Sequence, residues 1–83
     1  MSPTIFLKAG SRFFLYANER NEPPHIHVQR HDAVAKFWLN PVSLASNHGM
    51  TPVELSRAFA LVEQHETIIM EKWNGFFSRK KNT

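Results

Sequence analysis

The chain has 83 residues, no cysteine and a formal net charge of +3, which excludes disulfides, thiolate metal sites, iron–sulfur clusters and thiol nucleophiles. Its length leaves room for one modest core, so residues 1–83 are expected to form a single domain. Seven Phe, two Trp and one Tyr in a chain that is 42% hydrophobic exclude a disordered segment.

The start, Met1 to Lys8, has no basic leader region, and no apolar run approaches the roughly 20 residues of a membrane span. The expected compartment is the cytoplasm, with no membrane partner. Ile5–Lys8 and Arg12–Ala17 are rich in β-branched and aromatic residues on either side of Gly10-Ser11, which predicts a first hairpin. Asn18–Pro24 is polar and ends in Pro23-Pro24, a loop that cannot lie inside a central strand. His25–Arg30 and Ala33–Leu39 make a second hairpin across His31-Asp32. A two-residue loop there pairs Arg30 with Ala33, Val28 with Ala35, Ile26 with Phe37, His27 with Lys36 and His25 with Trp38. That register puts Ile26, Val28, Ala35, Phe37 and Leu39 on one face and His25, His27, Gln29, Lys36 and Trp38 on the other. A slip of one residue would mix the two sets.

Asn40-Pro41 fits the start of a short helix, with Gly49 as its stop and His48 beside its last carbonyls. Thr51-Pro52-Val53-Glu54 is a capping box that opens a long helix. Leu55, Phe59, Val62, Ile69, Trp73 and Phe76 continue it at three- and four-residue spacing, with a polar gap at Glu66. Run unbroken to Phe77 it would be about 39 Å long, beyond the ~17–20 Å of a typical strand. Its last aromatics must therefore fold back, bend at the gap, or pack on a second copy in a homodimer. Arg79, Lys80 and Lys81 supply the whole charge excess, so 78–83 reads as a flexible basic tail on a nearly neutral body. The expected class is α+β: a small antiparallel sheet of about four strands in two hairpins, then a short helix and a long C-terminal helix packed on one face.

Four readings compete for the histidine strand, one of them a binding face with no catalysis. His25 and His27, two apart, could chelate one metal, although no third ligand stands at a diagnostic spacing and the adjacent Lys36 opposes a cation. His25, His27 and Lys36, with Arg12 and Tyr16 nearby and Trp38 to stack a base, hold the acid, base and cations of a metal-independent ribonuclease. The structural reading has the histidines hydrogen-bond and position the Pro-Pro loop or the helix. No cofactor is called for. The basic tail can touch phosphate, so RNA or another nucleic acid is one partner class.

Asn21-Glu22-Pro23-Pro24-His25-Ile26-His27-Val28, followed by Ala35-Lys36-Phe37-Trp38-Leu39 and Pro41, resembles the signature of small bacterial proteins grouped as domain of unknown function 4160. Arg12-Phe13-Phe14-Leu15-Tyr16 and Trp73-Asn74-Gly75-Phe76-Phe77 are similar to the same family. The resemblance implies no established activity. It implies a functional surface around His25, His27, Lys36 and Trp38, with Arg12, Tyr16, Glu22, Pro23 and Pro24 beside it. Members are commonly encoded next to another small gene, which implies a non-enzymatic interaction module in a two-gene system of the toxin–antitoxin kind, with the neighbour's product as protein partner.

Overall fold

The computed structural model describes residues 4–16 and 21–78. Five strands come first: β1 (Thr4–Lys8), β2 (Ser11–Phe14), β3 (His25–Arg30), β4 (Ala33–Trp38) and β5 (Ser43–His48). Two helices follow, α1 (Pro52–Gln64) and α2 (Glu66–Ser78). The strands form one antiparallel sheet in sequence order, β1-β2-β3-β4-β5. The fold is α+β, with five strands where about four were expected.

The first hairpin turns at Ala9-Gly10, whose φ angles are 53° and 79°. Two left-handed residues match the right-handed twist of the flanking strands. A Cβ on Gly10 would sit 2.6 Å from Arg30 Nη1, and that guanidinium nitrogen donates to the Ala9 carbonyl at 2.9 Å. The second hairpin has the predicted register, His25 opposite Trp38 through Arg30 opposite Ala33. Its turn uses no glycine: His31 itself takes φ 55°.

Alternation in β2, β3 and β4 divides the sheet into two faces. The inner face carries Phe13, Ile26, Val28, Ala35 and Phe37, and these join Leu15, Leu39, Met50, Ala58, Val62, Ile69 and Trp73 in one buried cluster. Arg12, Phe14, His25, His27, Gln29, Lys36 and Trp38 fall on the outer face.

The short helix expected after Asn40-Pro41 does not form. Residues 43–48 instead pair with β4 as β5. Asn40 has φ 59°, its peptide bond to Pro41 is cis, and its amide donates to Glu66 Oε2 at 2.8 Å. It turns the chain and does not cap a helix. Ser43, Ser46 and Asn47 are weak helix formers, so pairing with β4 decides the state. The role expected of His48, at the carbonyls of that helix, disappears with it; His48 is exposed on the edge strand.

The long helix is two helices. The capping box is present, with Glu54 N–H donating to Thr51 Oγ1 at 3.1 Å and Thr51 N–H to Glu54 Oε1 at 2.9 Å. The break comes at His65, whose Nδ1 and backbone amide both lie on the Leu61 carbonyl, at 2.8 and 3.1 Å. This crowding, with φ −112° at His65, ends α1 just before the polar gap at Glu66. Each helix has thirteen residues, about 20 Å, which suits strands of this length. Phe59 packs on Phe37 and Phe6 on His65, so α1 lies across the inner face. On α2, Trp73 is 6% exposed and packs on His25 and Phe77, so this aromatic folds back onto the end of the sheet. Of the predicted tail, 79–83 lies outside the described residues.

Two stability outcomes follow from these termini and turns. Thr51→Ala should cost about 1 kcal/mol in urea denaturation, and an unchanged midpoint would mean the cap contributes nothing. His31→Gly should gain up to about 1 kcal/mol by relieving the left-handed conformation, measured in the same way.

Candidate functional site

The signature residues meet at the end of the sheet where β3 begins and β4 ends. His25 is 0% exposed although it belongs to the outer face. Its imidazole lies against Trp38, Trp73 and His27 at centroid distances of 5.7, 5.0 and 5.1 Å. Nδ1 is 2.9 Å from the Pro23 carbonyl oxygen. A carbonyl can only accept, so Nδ1 carries a hydrogen and the tautomer is fixed by that contact. The Pro24 carbonyl accepts from Leu39 N–H at 3.0 Å, tying the other proline to the end of β4. The geometry matches the structural reading for His25, which positions the Pro-Pro loop.

Lys36 reaches across from β4. Its Nζ donates to Glu22 Oε1 at 2.5 Å and lies 4.6 Å above the Trp38 ring. The Glu22 side chain is 41% exposed, so solvent weakens this ion pair and it serves mainly to fix geometry. His27, 7% exposed, is stacked on Phe14 and meets Tyr16 edge-on at 4.5 Å. Arg12 shares the face but is drawn the other way. It donates to Thr4 Oγ1 at 2.8 Å and to Gln29 Oε1 at 3.4 Å, with its guanidinium 4.3 Å above the Phe14 ring.

Two shallow depressions open on this face, one of about 380 Å³ at its far end lined by Leu7, Arg12, Gln29 and His31, and one of about 370 Å³ lined by Tyr16, His27, Val34, Lys36, Ser46 and His48. Ser46 and His48 were not foreseen as site residues, because the strand that carries them was read as helix. The pairing of Lys36 with Ser46 and of Val34 with His48 brings them in. A larger groove of about 510 Å³ runs between β1 and α2, lined by Ile5, Leu15 and Phe76 with Glu71 and Lys72. It holds none of His25, His27, Lys36 and Trp38.

His25 and His27, the pair of the metal reading, meet with their rings at 86°. Among the described residues no group of three His, Cys, Asp or Glu side chains is placed to hold a metal ion. Among the described residues no helix is long and apolar enough to cross a membrane.

With this geometry in place the comparison with known families is direct, since residues 10–74 match the model of a domain of unknown function, DUF4160. The chain belongs to the DUF4160 family. No curated protein and no solved structure matches it. The match runs from Gly10, in the first turn, to Asn74, one residue past the tryptophan that closes over His25. Within the matched residues a set of mutual contacts closes this end of the sheet: Glu22 with Lys36, His25 with Pro23, Lys36 with Trp38, and His25 with Trp73.

His25→Ala should cost about 3 kcal/mol, because it opens a cavity between two indoles and strips the Pro23 carbonyl of its donor. His48→Ala, at an exposed position, should stay within about 0.5 kcal/mol. Urea denaturation of both variants measures the contrast, and equal costs would contradict the sealed position of His25.

Proposed function

We propose that the protein is a small non-enzymatic interaction module, one component of a two-gene system of the toxin–antitoxin kind. Its contact surface is the outer sheet face around Tyr16, His27, Lys36, Ser46 and His48. One observation carries the reading: the groups that a catalyst would need are engaged in holding the surface together. His25 is sealed from solvent and bonded to Pro23, and the Lys36 ammonium is bonded to Glu22. A general acid or base must reach the proton it transfers, and His25 has no solvent-exposed surface from which to reach a substrate. The face that results is rigid and polar, with one well-exposed ring, which suits recognition. The two-gene context rests on the habit of DUF4160 genes of standing beside another small gene.

The second reading, a metal-independent ribonuclease, is favoured by one specific feature. Two imidazoles, an ammonium and two hydroxyl-bearing residues line a single depression. An acid–base pair there would be His27 with His48, and Lys36 would meet phosphate charge.

Co-expression with a tagged product of the neighbouring gene tests the first reading. A complex of fixed stoichiometry is expected, weakened in the double variant Tyr16→Ala/His48→Ala while its denaturation midpoint stays near wild type. A folded chain that never co-purifies would defeat the two-gene reading. Cleavage of total RNA in the presence of chelator, lost in His27→Ala, would replace it with the ribonuclease.

A further inference from the structure

We infer that the outer-face depression binds single-stranded RNA, with a base stacked at Tyr16 and the adjoining phosphate on the Lys36–Ser46–His48 side. This rests on the reading of the outer face as the contact surface and adds the chemical class of what is contacted.

Tyr16 supplies the stacking element. Its ring is anchored edge-on against both Phe14 and His27, at 5.3 and 4.5 Å, yet the residue is 39% exposed. An aromatic held in place by two others gives up little freedom when a base settles on it. Beside it, successive strands present hydrogen-bond donors in one cross-strand row: His27, Lys36 and Ser46, with His48 in the next row along. Adjacent strands lie about 4.8 Å apart, so this row spans roughly 10 Å. None of the residues lining the depression is a carboxylate. Arg12 adds a second cation on the same face, over the Phe14 ring.

The same inventory disfavours other ligands. A protein contact of ordinary kind would bring an apolar centre, whereas the apolar lining of the depression is the Tyr16 ring and Val34, and the exposed Leu7 of the same face stands apart on β1, opposite Arg12. A nucleic-acid duplex presents its bases stacked inside, where a tyrosine on a sheet cannot reach them; unpaired bases are free to stack on an aromatic platform. Among the described residues Glu22 opposes the assignment, since its carboxylate already holds Lys36. A phosphate must share or displace it, and this supplies a directional test.

Fluorescence anisotropy with a short labelled oligouridylate measures binding to the full chain. Wild type should bind at about 50 mM salt and weaken steeply by about 200 mM, as contacts to phosphate do. Tyr16→Ala should weaken binding about tenfold, while Tyr16→Phe, which keeps the ring, should bind as wild type does. Lys36→Gln should weaken binding, and Glu22→Gln should tighten it several-fold by releasing the ammonium. Denaturation midpoints of each variant establish that it is folded. No binding by folded wild type, equal binding of a DNA duplex, or a Tyr16→Ala variant that binds like wild type would overturn the inference. A complex with the neighbouring gene product would then still support the outer face as a contact surface. Binding accompanied by cleavage of the oligonucleotide would uphold the RNA site and overturn the non-enzymatic reading instead.

Discussion

A polar ring with no solvent contact must find its hydrogen-bond partner inside the protein, and His25 is such a ring. Its Nδ1–H reaches the Pro23 carbonyl, which is available only because the Pro-Pro segment folds back over the start of β3. Pro24 then takes the amide of Leu39, and Glu22 is left where Lys36 can reach it. One buried imidazole therefore fixes the loop, the end of β4 and the ion pair together. In a chain of 83 residues little stability is held in reserve, so a buried polar group of this kind is tolerable only when fully partnered.

The same ring joins the two sides of the molecule. Trp73 on α2 touches His25, His25 touches His27, and His27 touches Tyr16 at the mouth of the depression. The helix layer and the outer face thus share a line of packed rings that passes around the end of the sheet. Such rings transmit displacement because the interior has no slack to absorb it. The C-terminal helix therefore supports the outer face as well as closing the core.

The hairpin register was legible because apolar and polar residues alternate without error from His25 to Leu39, and a slip would have buried charge. The capping box at Thr51 was legible because two side chains satisfy two amides reciprocally. The end of α1 was visible as the polar gap at Glu66, although its cause, the imidazole of His65 on the Leu61 carbonyl, needs coordinates. β5 was hidden because Ser-Leu-Ala-Ser-Asn-His carries neither a strong alternation nor β-branched residues, and Asn40-Pro41 imitates a helix start. With β5 went Ser46 and His48. The shared face of His25, His27, Lys36 and Trp38 could be read from the register. The burial of His25 could not, since Trp73, some fifty residues away along the chain, packs on its ring.

The hidden strand also shows how so small a sheet keeps an uncharged edge without inviting a second one. β5 lacks the lysines and prolines that usually protect an edge. Its protection is the bulge between Lys36 and Phe37, where Ser46 pairs with Lys36 and Leu44 with Phe37, leaving Ala45 between them. The extra residue puts the two halves of β5 out of phase, so a regular strand laid along the edge matches the faces of one half and opposes those of the other. The bulge that obscures the alternation in the sequence also places Ser46 and His48 on the outer face beside Lys36. A regular β5 that kept Leu44 on the inner face would turn both residues the other way, and the depression would lose that wall. Edge protection and site construction therefore come from the same inserted residue.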